Sequence, residues 1–425
     1  MTAFLRPTDP GYDDEVAGYN RLVVHRPELV MPARSVADVV EAVRTAAAAG
    51  LPLGVQATGH GPSVPADGVL VSTRHLRDVR VDPATRTVRV GAGARGHDLT
   101  AALVPRGLAP LGGSSPDVGV VGYHLGGGLP LLGRTFGYAA DRVRALDVVT
   151  ADGEPRTLTP DDDLFRAMLG CRGAFGVVTS LVTEALPLTS VTGGGLWFTG
   201  DGIEPAVRAY LRWTADVPAT VNSSVLLIRL PDLPVIPEPI RGRRIAHVRI
   251  AAVGGEVDLA PLRAVAPVLD TVAELPVARL SSIHDEPSVP VLFKARNALL
   301  GPLDDAAATV LLDHAESGAF LVELRHLGGA LAEGRAVVGR RDADYVVYTG
   351  TALPDPSAQE AAAAAQASLH DALAPWGIGA MTPAFLTGRH ALDVAFSAAD
   401  QAWLAKVKQA WDPEDLFRVA PFRVP

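Results

Sequence analysis

The chain has 425 residues, of which 48% are hydrophobic and 20% are charged, and it contains a single cysteine, Cys171. This length and composition predict a globular protein with room for two domains. The net charge of −9 argues against nucleic acid or an anionic membrane surface as the main partner, and a single cysteine excludes an internal disulfide or a cysteine-rich metal site.

The N-terminal stretch has no apolar segment as long as a signal peptide needs, and no segment approaches the length of a membrane span. We therefore expect a cytoplasmic protein that acts on a small molecule, without a nucleic-acid or membrane partner. No histidine has a partner at metal-ligand spacing, so we predict no metal site.

The first firm element is a helix that begins after Ser35, which forms an N-cap signature with Asp38, and ends at Gly50. The apolar run over residues 51–55 then predicts a short buried strand. Further elements predicted in this part of the chain are a strand at 69–71, a hairpin of 79–81 with 87–90, and a helix at 97–104.

A histidine between two glycines follows the buried strand directly, in the segment Gln56-Ala57-Thr58-Gly59-His60-Gly61-Pro62-Ser63. The two glycines remove the Cβ atoms that would keep the backbone away from a ligand. Such a loop can turn its N–H groups toward phosphate oxygens. A lone Gly-His-Gly is more often a tight turn, so a ligand-binding interpretation of this loop requires further motifs elsewhere in the chain.

A second glycine-rich region runs from Leu111 to Gly128, with small residues at nearly every other position. Helix and strand interiors tolerate so much glycine poorly, so the region predicts close approach of the backbone to something flat or highly charged. It matches neither the Rossmann fingerprint, nor a Walker loop, nor a nucleophile elbow.

The next elements complete an α+β unit: a strand at 143–150, a helix at 161–169 and a strand at 175–184. The triple Gly193-Gly194-Gly195 marks the predicted boundary. Strands at 223–230, 245–253, 320–327 and 345–349 follow, with alanine-rich helices such as Gln359–Leu373, and an amphipathic helix covers 401–411.

Four motifs in this order resemble one family. They are the Gly-His loop, the run from Gly113 to Gly128, Asp163-Leu164-Phe165 ahead of Phe175-Gly176-Val177-Val178-Thr179, and the terminal Asp412-Pro413-Glu414-Asp415-Leu416-Phe417-Arg418. The chain resembles the berberine-bridge-enzyme-like FAD-linked oxidoreductases, within the vanillyl-alcohol-oxidase and p-cresol-methylhydroxylase superfamily.

The resemblance implies an α+β, two-domain FAD-binding fold of the p-cresol-methylhydroxylase type. Its FAD-binding domain would be residues 1–190, completed by the C-terminal segment 396–425. A substrate domain with an antiparallel sheet and flanking helices would be 191–395.

The resemblance also implies a covalent 8α-histidyl bond between FAD and His60. The other implied FAD contacts are Ala57, Thr58, Gly59, Gly61, Pro62, Ser63, Ser114, Ser115, Val118, Gly119, Val121, Gly122, Tyr123, Leu125, Gly176 and Val178. Many relatives have a second linking residue, a cysteine, where this chain has Ser115, so we expect a single tether. Hydrogen bonds common in the family are lost at Pro130, Ala174, Ala384 and Ala420.

The expected function is that of an FAD-dependent oxidase or dehydrogenase. It would abstract hydride from an alcohol or amine carbon of a small metabolite, with secondary metabolism as a candidate setting and molecular oxygen as a candidate electron acceptor. Two alternatives stay open: a redox-neutral cyclisation or isomerisation with a structural FAD, and a binding protein without catalysis.

Substrate-side groups are expected on the strand at 320–327. Side chains alternate along a strand, so Glu323 and Arg325 share one face while Leu324 and His326 share the other. We predict His326 as the base, Arg325 as an alternative substrate anchor, and Tyr348 on a later strand as a further candidate.

Overall fold

The computed structural model describes residues 2–61, 64–255, 257–316 and 320–425. Within these ranges sixteen strands are present: β1 (Leu29–Pro32), β2 (Leu53–Gln56), β3 (Val69–Ser72), β4 (Val79–Asp82), β5 (Thr87–Gly91), β6 (Val143–Val149), β7 (Pro155–Leu158), β8 (Val177–Glu184), β9 (Ser190–Thr199), β10 (Val221–Arg229), β11 (Arg244–Ala252), β12 (Leu269–Asp270), β13 (Ala273–Pro276), β14 (Phe293–Leu300), β15 (Leu321–His326) and β16 (Tyr345–Ala352).

The same ranges contain eleven α-helices: α1 (Tyr12–Val16), α2 (Val36–Ala49), α3 (Gly96–Leu103), α4 (Val120–Leu125), α5 (Gly133–Phe136), α6 (Asp163–Cys171), α7 (Ile203–Thr214), α8 (Ala260–Arg263), α9 (Asp305–Glu316), α10 (Gln359–Ala372) and α11 (Ala398–Trp411). None of the helices described is long and apolar enough to cross a lipid bilayer.

A small parallel sheet of order β1-β3-β2 carries the predicted first helix, α2. The helix begins at the predicted capping box, in which the Asp38 amide donates to Ser35 Oγ (3.3 Å) and the Ser35 amide donates to the Asp38 carboxylate (3.0 Å). It ends at Gly50, whose φ of 64° is the left-handed conformation that glycine adopts readily. Val39 and Val43 pack against Leu53 in the core of this sheet.

A five-stranded antiparallel sheet of order β4-β5-β8-β6-β7 lies next in the chain. The predicted hairpin is present as β4 and β5, with Val81 opposite Val88. Apolar side chains of this sheet, such as Leu146 and Leu181, share a buried core with residues of α3, α4 and α6.

The largest sheet has eight strands, in the order β12-β9-β11-β10-β15-β16-β14 with β13 also paired to β9. Its core-facing side packs Val248, Leu324 and Val347 against helices α7, α9 and α10. The alternation along β15 turns Glu323 and Arg325 to the other side. This sheet therefore has one apolar face and one face available for chemistry.

The glycine triple that marked the predicted boundary lies inside strand β9. A Cβ atom at Gly195 would stand 2.0 Å from Nε2 of His247, whose ring stacks on Trp197. A Cβ atom at Gly194 would stand 2.4 Å from the Thr271 carbonyl oxygen. These glycines serve close packing between strands and are not a linker. The division of the chain into domains at 190 stays a prediction.

Two further elements differ from the sequence-based expectations. The glycine-rich region contains a short helix, α4, which has Gly119 and Gly126 at its two ends and a single glycine, Gly122, in its interior. Strand β14 was not predicted, since Phe293-Lys294-Ala295-Arg296-Asn297 shows no clean alternation; it pairs along its length with β16.

The C-terminal segment returns to the small parallel sheet. The Leu53 amide donates to the Leu416 carbonyl (2.9 Å), and Phe417 is buried in the core of that sheet. Asp412 fixes this arrangement: its carboxylate accepts from Lys408 Nζ (2.6 Å) and from the amides of Leu416 (2.8 Å) and Phe417 (3.0 Å). Both ionic side chains are almost fully buried.

We expect Asp412→Ala to lower the free energy of unfolding by about 3 kcal/mol, because it removes the buried partner of the Lys408 ammonium and leaves two amides without an acceptor. Among the described residues, Lys408 then keeps only the half-exposed Asp415 (2.9 Å) as a counter-ion. Urea denaturation measures the change. Glu414→Ala, at an exposed neighbouring position, is the matched control and should change stability by less than about 0.5 kcal/mol. Equal stabilities of the two variants would contradict this role of Asp412.

Candidate functional site

The His60 loop follows β2 and is held by backbone contacts with residues 18–20. The amides of Tyr19 and Asn20 donate to the carbonyls of Thr58 (2.9 Å) and Gly59 (3.1 Å). Gly59 has a φ of 68°, and a Cβ atom there would stand 2.4 Å from Gly18 Cα. Glycine is therefore required at this position both by its conformation and by the space.

The imidazole of His60 stacks on the ring of Tyr19, with centroids 3.7 Å apart and an angle of 11° between the planes. Burial lowers the pKa of His60 to about 4. The ring is therefore uncharged at neutral pH and keeps a nitrogen lone pair, which is what a nucleophile needs.

Tyr19 also reaches a loop that connects to the large sheet. Its hydroxyl donates to the Pro287 carbonyl (2.6 Å), and its carbonyl accepts from the Val291 amide (3.0 Å). One residue thus brings the His60 loop together with residues 284–291, which lead into β14.

The predicted second glycine-rich region borders the His60 loop. The Gly119 amide donates to Thr58 Oγ1 (3.3 Å), and a Cβ atom at Gly119 would contact Ala57 and Thr58. Tyr123 lies between Gly113 and Gly128, where added Cβ atoms would stand 3.1 Å and 2.8 Å from its ring. The buried Tyr123 hydroxyl has no hydrogen-bond partner in the described structure.

The remaining predicted FAD contacts differ in their surroundings. Val121, Leu125 and Val178 are buried in one apolar core, so their side chains pack the protein and leave only their backbone for a cofactor. Gly176 packs on β6, where a Cβ atom would stand 2.8 Å from Val148 Cγ2. Ser115 is buried, Val118 is half-buried just before α4, and Gly122 is exposed within α4. Pro62 and Ser63 lie outside the described residues.

A buried ion cluster occupies the polar face of the large sheet. The Glu323 carboxylate lies 3.3 Å from Arg249 and 3.2 Å from Arg325, and all three side chains are at most 9% exposed. Burial alone would raise the pKa of Glu323, but the charge of Arg325, assisted by Arg249, holds it well below its usual range. The cluster therefore has two cations and one anion.

Tyr348 lies opposite Glu323 in the neighbouring strand, and its ring contacts Phe385 (5.1 Å between centroids). The Arg325 guanidinium lies over the same Phe385 ring, 5.4 Å from its centroid. Burial raises the pKa of Tyr348, so its hydroxyl stays protonated and can donate a hydrogen bond. Two of the three predicted substrate-side residues, Arg325 and Tyr348, are thus brought together.

His326 does not join them. Its Nε2 lies 2.9 Å from Arg134 Nη1, and its ring stacks on Tyr345, which belongs to the helix-facing side of the sheet. Burial and the Arg134 charge lower the pKa of His326 to about 3. Strand alternation places its side chain on the face opposite Arg325, and its role as the base stays a prediction.

Glu286 is a carboxylate that sequence reasoning missed. It follows His284 in a segment that resembles a surface loop, and spacing gives no sign of its role. The side chain is accessible, yet burial raises its pKa, with a hydrogen bond from Ser114 acting in the opposite direction. Glu286 also senses the charges of Glu323 and Arg249, so it lies between the second glycine-rich region and the large sheet, in a space that we call the recess.

Sequence reasoning also missed Arg172 as a site residue. Its place between a helix end and a glycine is only a weak sign of such a role. Its Nη1 would lie 3.1 Å from a Cβ atom at Gly61, and its Nε 2.9 Å from one at Gly126. The Nε is buried and has no hydrogen-bond partner in the described structure. The site therefore combines the two glycine-rich loops, which we call the glycine cradle, with two buried hydrogen-bond donors, the Tyr123 hydroxyl and the Arg172 Nε. Neither donor has an acceptor among the described residues.

Residues 27–159 match a protein family described as an FAD binding domain. This part of the chain is an FAD binding domain. The glycine cradle and the two orphaned donors fit such a cofactor, because FAD is flat at one end and carries phosphate oxygens as acceptors. The predicted resemblance to FAD-linked oxidoreductases is confirmed by this domain and by the relatives that follow.

Relatives of the FAD binding domain are FAD-linked oxidoreductases. The chain is 38% identical over 182 residues to "FAD-linked oxidoreductase ZEB1" of Gibberella zeae (40% of this chain, 32% of the relative). It is 31% identical over 200 residues to (R)-6-hydroxynicotine oxidase of Paenarthrobacter nicotinovorans (45% and 44%). Each match thus covers less than half the length of the relative.

The crystal structure of 6-hydroxy-D-nicotine oxidase from Arthrobacter nicotinovorans is similar over the whole chain. The TM-score is 0.87 at 22% identity, covering 100% of this chain and 98% of that one. This similarity confirms the predicted α+β, p-cresol-methylhydroxylase-type fold in which the FAD binding domain sits.

We expect Gly59→Ala to reduce FAD incorporation into the FAD binding domain at least about 10-fold, since the new methyl group displaces residue 18 and the histidine loop with it. The ratio of flavin to protein absorbance measures incorporation. Gly301→Ala, where an added Cβ has only ordinary contacts, is the control. Full incorporation in Gly59→Ala would contradict the requirement for glycine.

Proposed function

We propose that the chain is a berberine-bridge-enzyme-like FAD-dependent oxidoreductase with its flavin tethered once, through His60. The observation that carries this proposal is the Tyr19 contact. It brings an uncharged, nucleophilic histidine against the loop of Glu286, so that a flavin held at His60 would extend along the recess beside the polar face of the large sheet.

We propose that residues 1–190 and 396–425 form the FAD-binding part and residues 191–395 the substrate part. The hydrogen bond between Leu53 and Leu416 supports the assignment of the C-terminal segment. Ser115 stands at the position of the second linking residue, and a hydroxyl is a far weaker nucleophile than a thiolate at neutral pH. Burial raises the pKa of Cys171, so its thiol stays protonated and unreactive.

When bound, FAD accepts a hydride, and thus two electrons, from a substrate carbon. The protein must then take the proton of the substrate hydroxyl or amine. Glu286 is the carboxylate in the recess with a raised pKa, and we assign it as the proton acceptor. Tyr348 donates a hydrogen bond to the substrate, and it keeps its proton because its own pKa is raised.

Arg325 is the proposed anchor for a polar or anionic part of the substrate. Its Nη2 donates to both oxygens of Glu323 at 3.2 Å, and no hydrogen bond joins its Nε or Nη1 to the described residues. These donors lie beside Phe385 and Tyr348, so an aromatic or apolar substrate body would contact the rings while a polar substituent meets the guanidinium. Molecular oxygen is the proposed electron acceptor.

We expect the yellow colour to remain with the protein after acid precipitation. His60→Ala should release all of it yet still bind FAD reversibly, whereas His314→Ala, on helix α9, should behave as the wild type. Peptide mapping should find flavin on the His60 peptide alone. Flavin on a peptide that contains Ser115 or Cys171 would contradict the single tether.

We expect Glu286→Gln to slow anaerobic flavin reduction by substrate roughly 100-fold, because the amide cannot accept the proton. In the wild type the rate should rise with pH through the raised pKa of Glu286 and then level off, since only the carboxylate form accepts a proton. The variant should lose that rise. Stopped-flow bleaching of the flavin measures both.

Asp285→Asn, at the exposed neighbouring position, should keep the wild-type profile and serves as the control. A Glu286→Gln protein with the wild-type rate and pH profile would remove Glu286 from the site. If a substrate is converted anaerobically while the flavin stays yellow in the wild type, the reaction is redox-neutral and the proposed oxidoreduction is wrong.

A further inference from the structure

Arg172 has an unusual position for a charged residue. It directly follows helix α6, has a φ of 56°, and its amide donates to the Leu125 carbonyl (3.1 Å) in the second glycine-rich region. Its guanidinium extends between Gly61 and Gly126, and a Cβ atom at either glycine would stand within about 3 Å of it. Two separate glycine loops therefore make room for one arginine.

The charge of Arg172 has no counter-ion among the described residues. Nη2 donates to the carbonyls of Pro383 (3.0 Å) and Ala384 (3.3 Å), and the buried Nε has no partner. No carboxylate lies within ion-pair distance in the part of the chain that the structure describes. Burial lowers its pKa to about 10, so the guanidinium remains protonated at neutral pH.

The other buried arginines that the structure describes are either ion-paired or, like Arg134, hydrogen-bonded to backbone carbonyls through Nε, Nη1 and Nη2. Arg249 and Arg325 share Glu323, and Arg341 pairs with Asp141 at 2.9 Å. An uncompensated buried cation with an orphaned donor costs several kcal/mol of folding free energy. Such a cost is typical of a site that gains its partner when a ligand binds.

The two cofactor loops themselves contain no cation. No lysine or arginine occurs between Gly50 and Arg74, or between Arg106 and Arg134. FAD carries a diphosphate, and its reduced ring carries a further negative charge, so a pocket of backbone amides alone would lack a positive charge. The fold delivers two cations to these loops from other parts of the chain: Arg95, which is paired with Asp117 (3.7 Å), and Arg172, which has no counter-ion among the described residues.

We propose that Arg172 binds an anionic group of FAD and so supplies the positive charge of the cofactor pocket. The inference rests on the proposed FAD site, and it adds a residue for which neither glycine-rich motif gives a signal. Two groups share the required chemistry: the diphosphate, which is anionic in both redox states, and the flavin ring, which is anionic only when reduced.

The test uses His60→Ala protein, in which FAD binds reversibly and a dissociation constant can be measured by flavin fluorescence. Adding Arg172→Gln should weaken FAD binding at least about 10-fold, since hydrogen bonds to charged groups contribute about 1.5–3 kcal/mol. Arg172→Lys should recover part of the loss, because the charge is kept. Arg166→Gln, on the exposed side of α6, is the matched control and should leave the affinity unchanged.

Two further measurements show whether Arg172 binds the diphosphate or the reduced flavin ring: the affinity for riboflavin, which lacks the diphosphate, and the midpoint potential of the bound flavin. Loss of FAD affinity with unchanged riboflavin affinity assigns Arg172 to the diphosphate. Unchanged FAD affinity with a more negative midpoint potential assigns it to the reduced ring. Equal losses for FAD and riboflavin, or no change in affinity and potential, would overturn the proposal and leave a structural role.

Circular dichroism and thermal melting check that the variants are folded, and Arg172→Lys carries the test if Arg172→Gln fails to fold. Failure of the FAD site itself has a different signature. If a His60→Ala protein that keeps Arg172 binds neither FAD nor riboflavin, the proposed FAD site is wrong. That result is distinct from a failure of the proposed role of Arg172.

Discussion

The contact of Tyr19 with both His60 and Pro287 is the constraint on which the candidate site depends. Its ring fixes the plane of the imidazole, while its hydroxyl and carbonyl hold the segment that carries Glu286. Asn20 adds a second link, because its side chain donates to the Phe293 carbonyl at the start of β14 (2.8 Å). The width of the recess is thus determined by a stretch near the N-terminus that belongs to neither glycine loop nor the large sheet.

Charge is distributed unevenly around this recess. On the sheet side, Glu323 is shared by Arg249 and Arg325, which keeps three long side chains in fixed positions and leaves one positive charge in excess. On the loop side, His60 is neutral and Arg172 is charged. Glu286 lies between the two, so its ionisation lowers the net positive charge of the site without cancelling it. An anionic or electron-rich substrate fits this balance better than a cationic one.

Local sequence patterns correctly predicted those structural features that are determined by residues close together in the chain. The capping box at Ser35 and Asp38, the β4–β5 hairpin and the alternation along β15 are each determined within a few residues, and all three are present. The four motifs that indicated the family were recognisable because glycine is required wherever a backbone approaches a ligand closely.

The remaining features arise from contacts between distant segments. The contact of His326 with Tyr345 could not be predicted, because alternation gives two faces but not which of them meets the helices. Glu286 and Arg172 have ordinary sequence surroundings and gain their positions from the Ser114 hydroxyl and from Gly61 and Gly126. The glycines of β9 were assigned to a boundary because the size of a neighbouring side chain, that of His247, is invisible in the local pattern.

The return of the C-terminal segment to the small parallel sheet has a consequence for biosynthesis. Arg418 donates to the Gly50 carbonyl (3.4 Å) across 368 residues of chain, and Leu416 and Phe417 complete the edge and core of a sheet made of the first strands. Loop closure over such a distance is slow, and it must wait until residues 416–418 have left the ribosome. The nascent N-terminal half therefore emerges with the edge of its small parallel sheet still open.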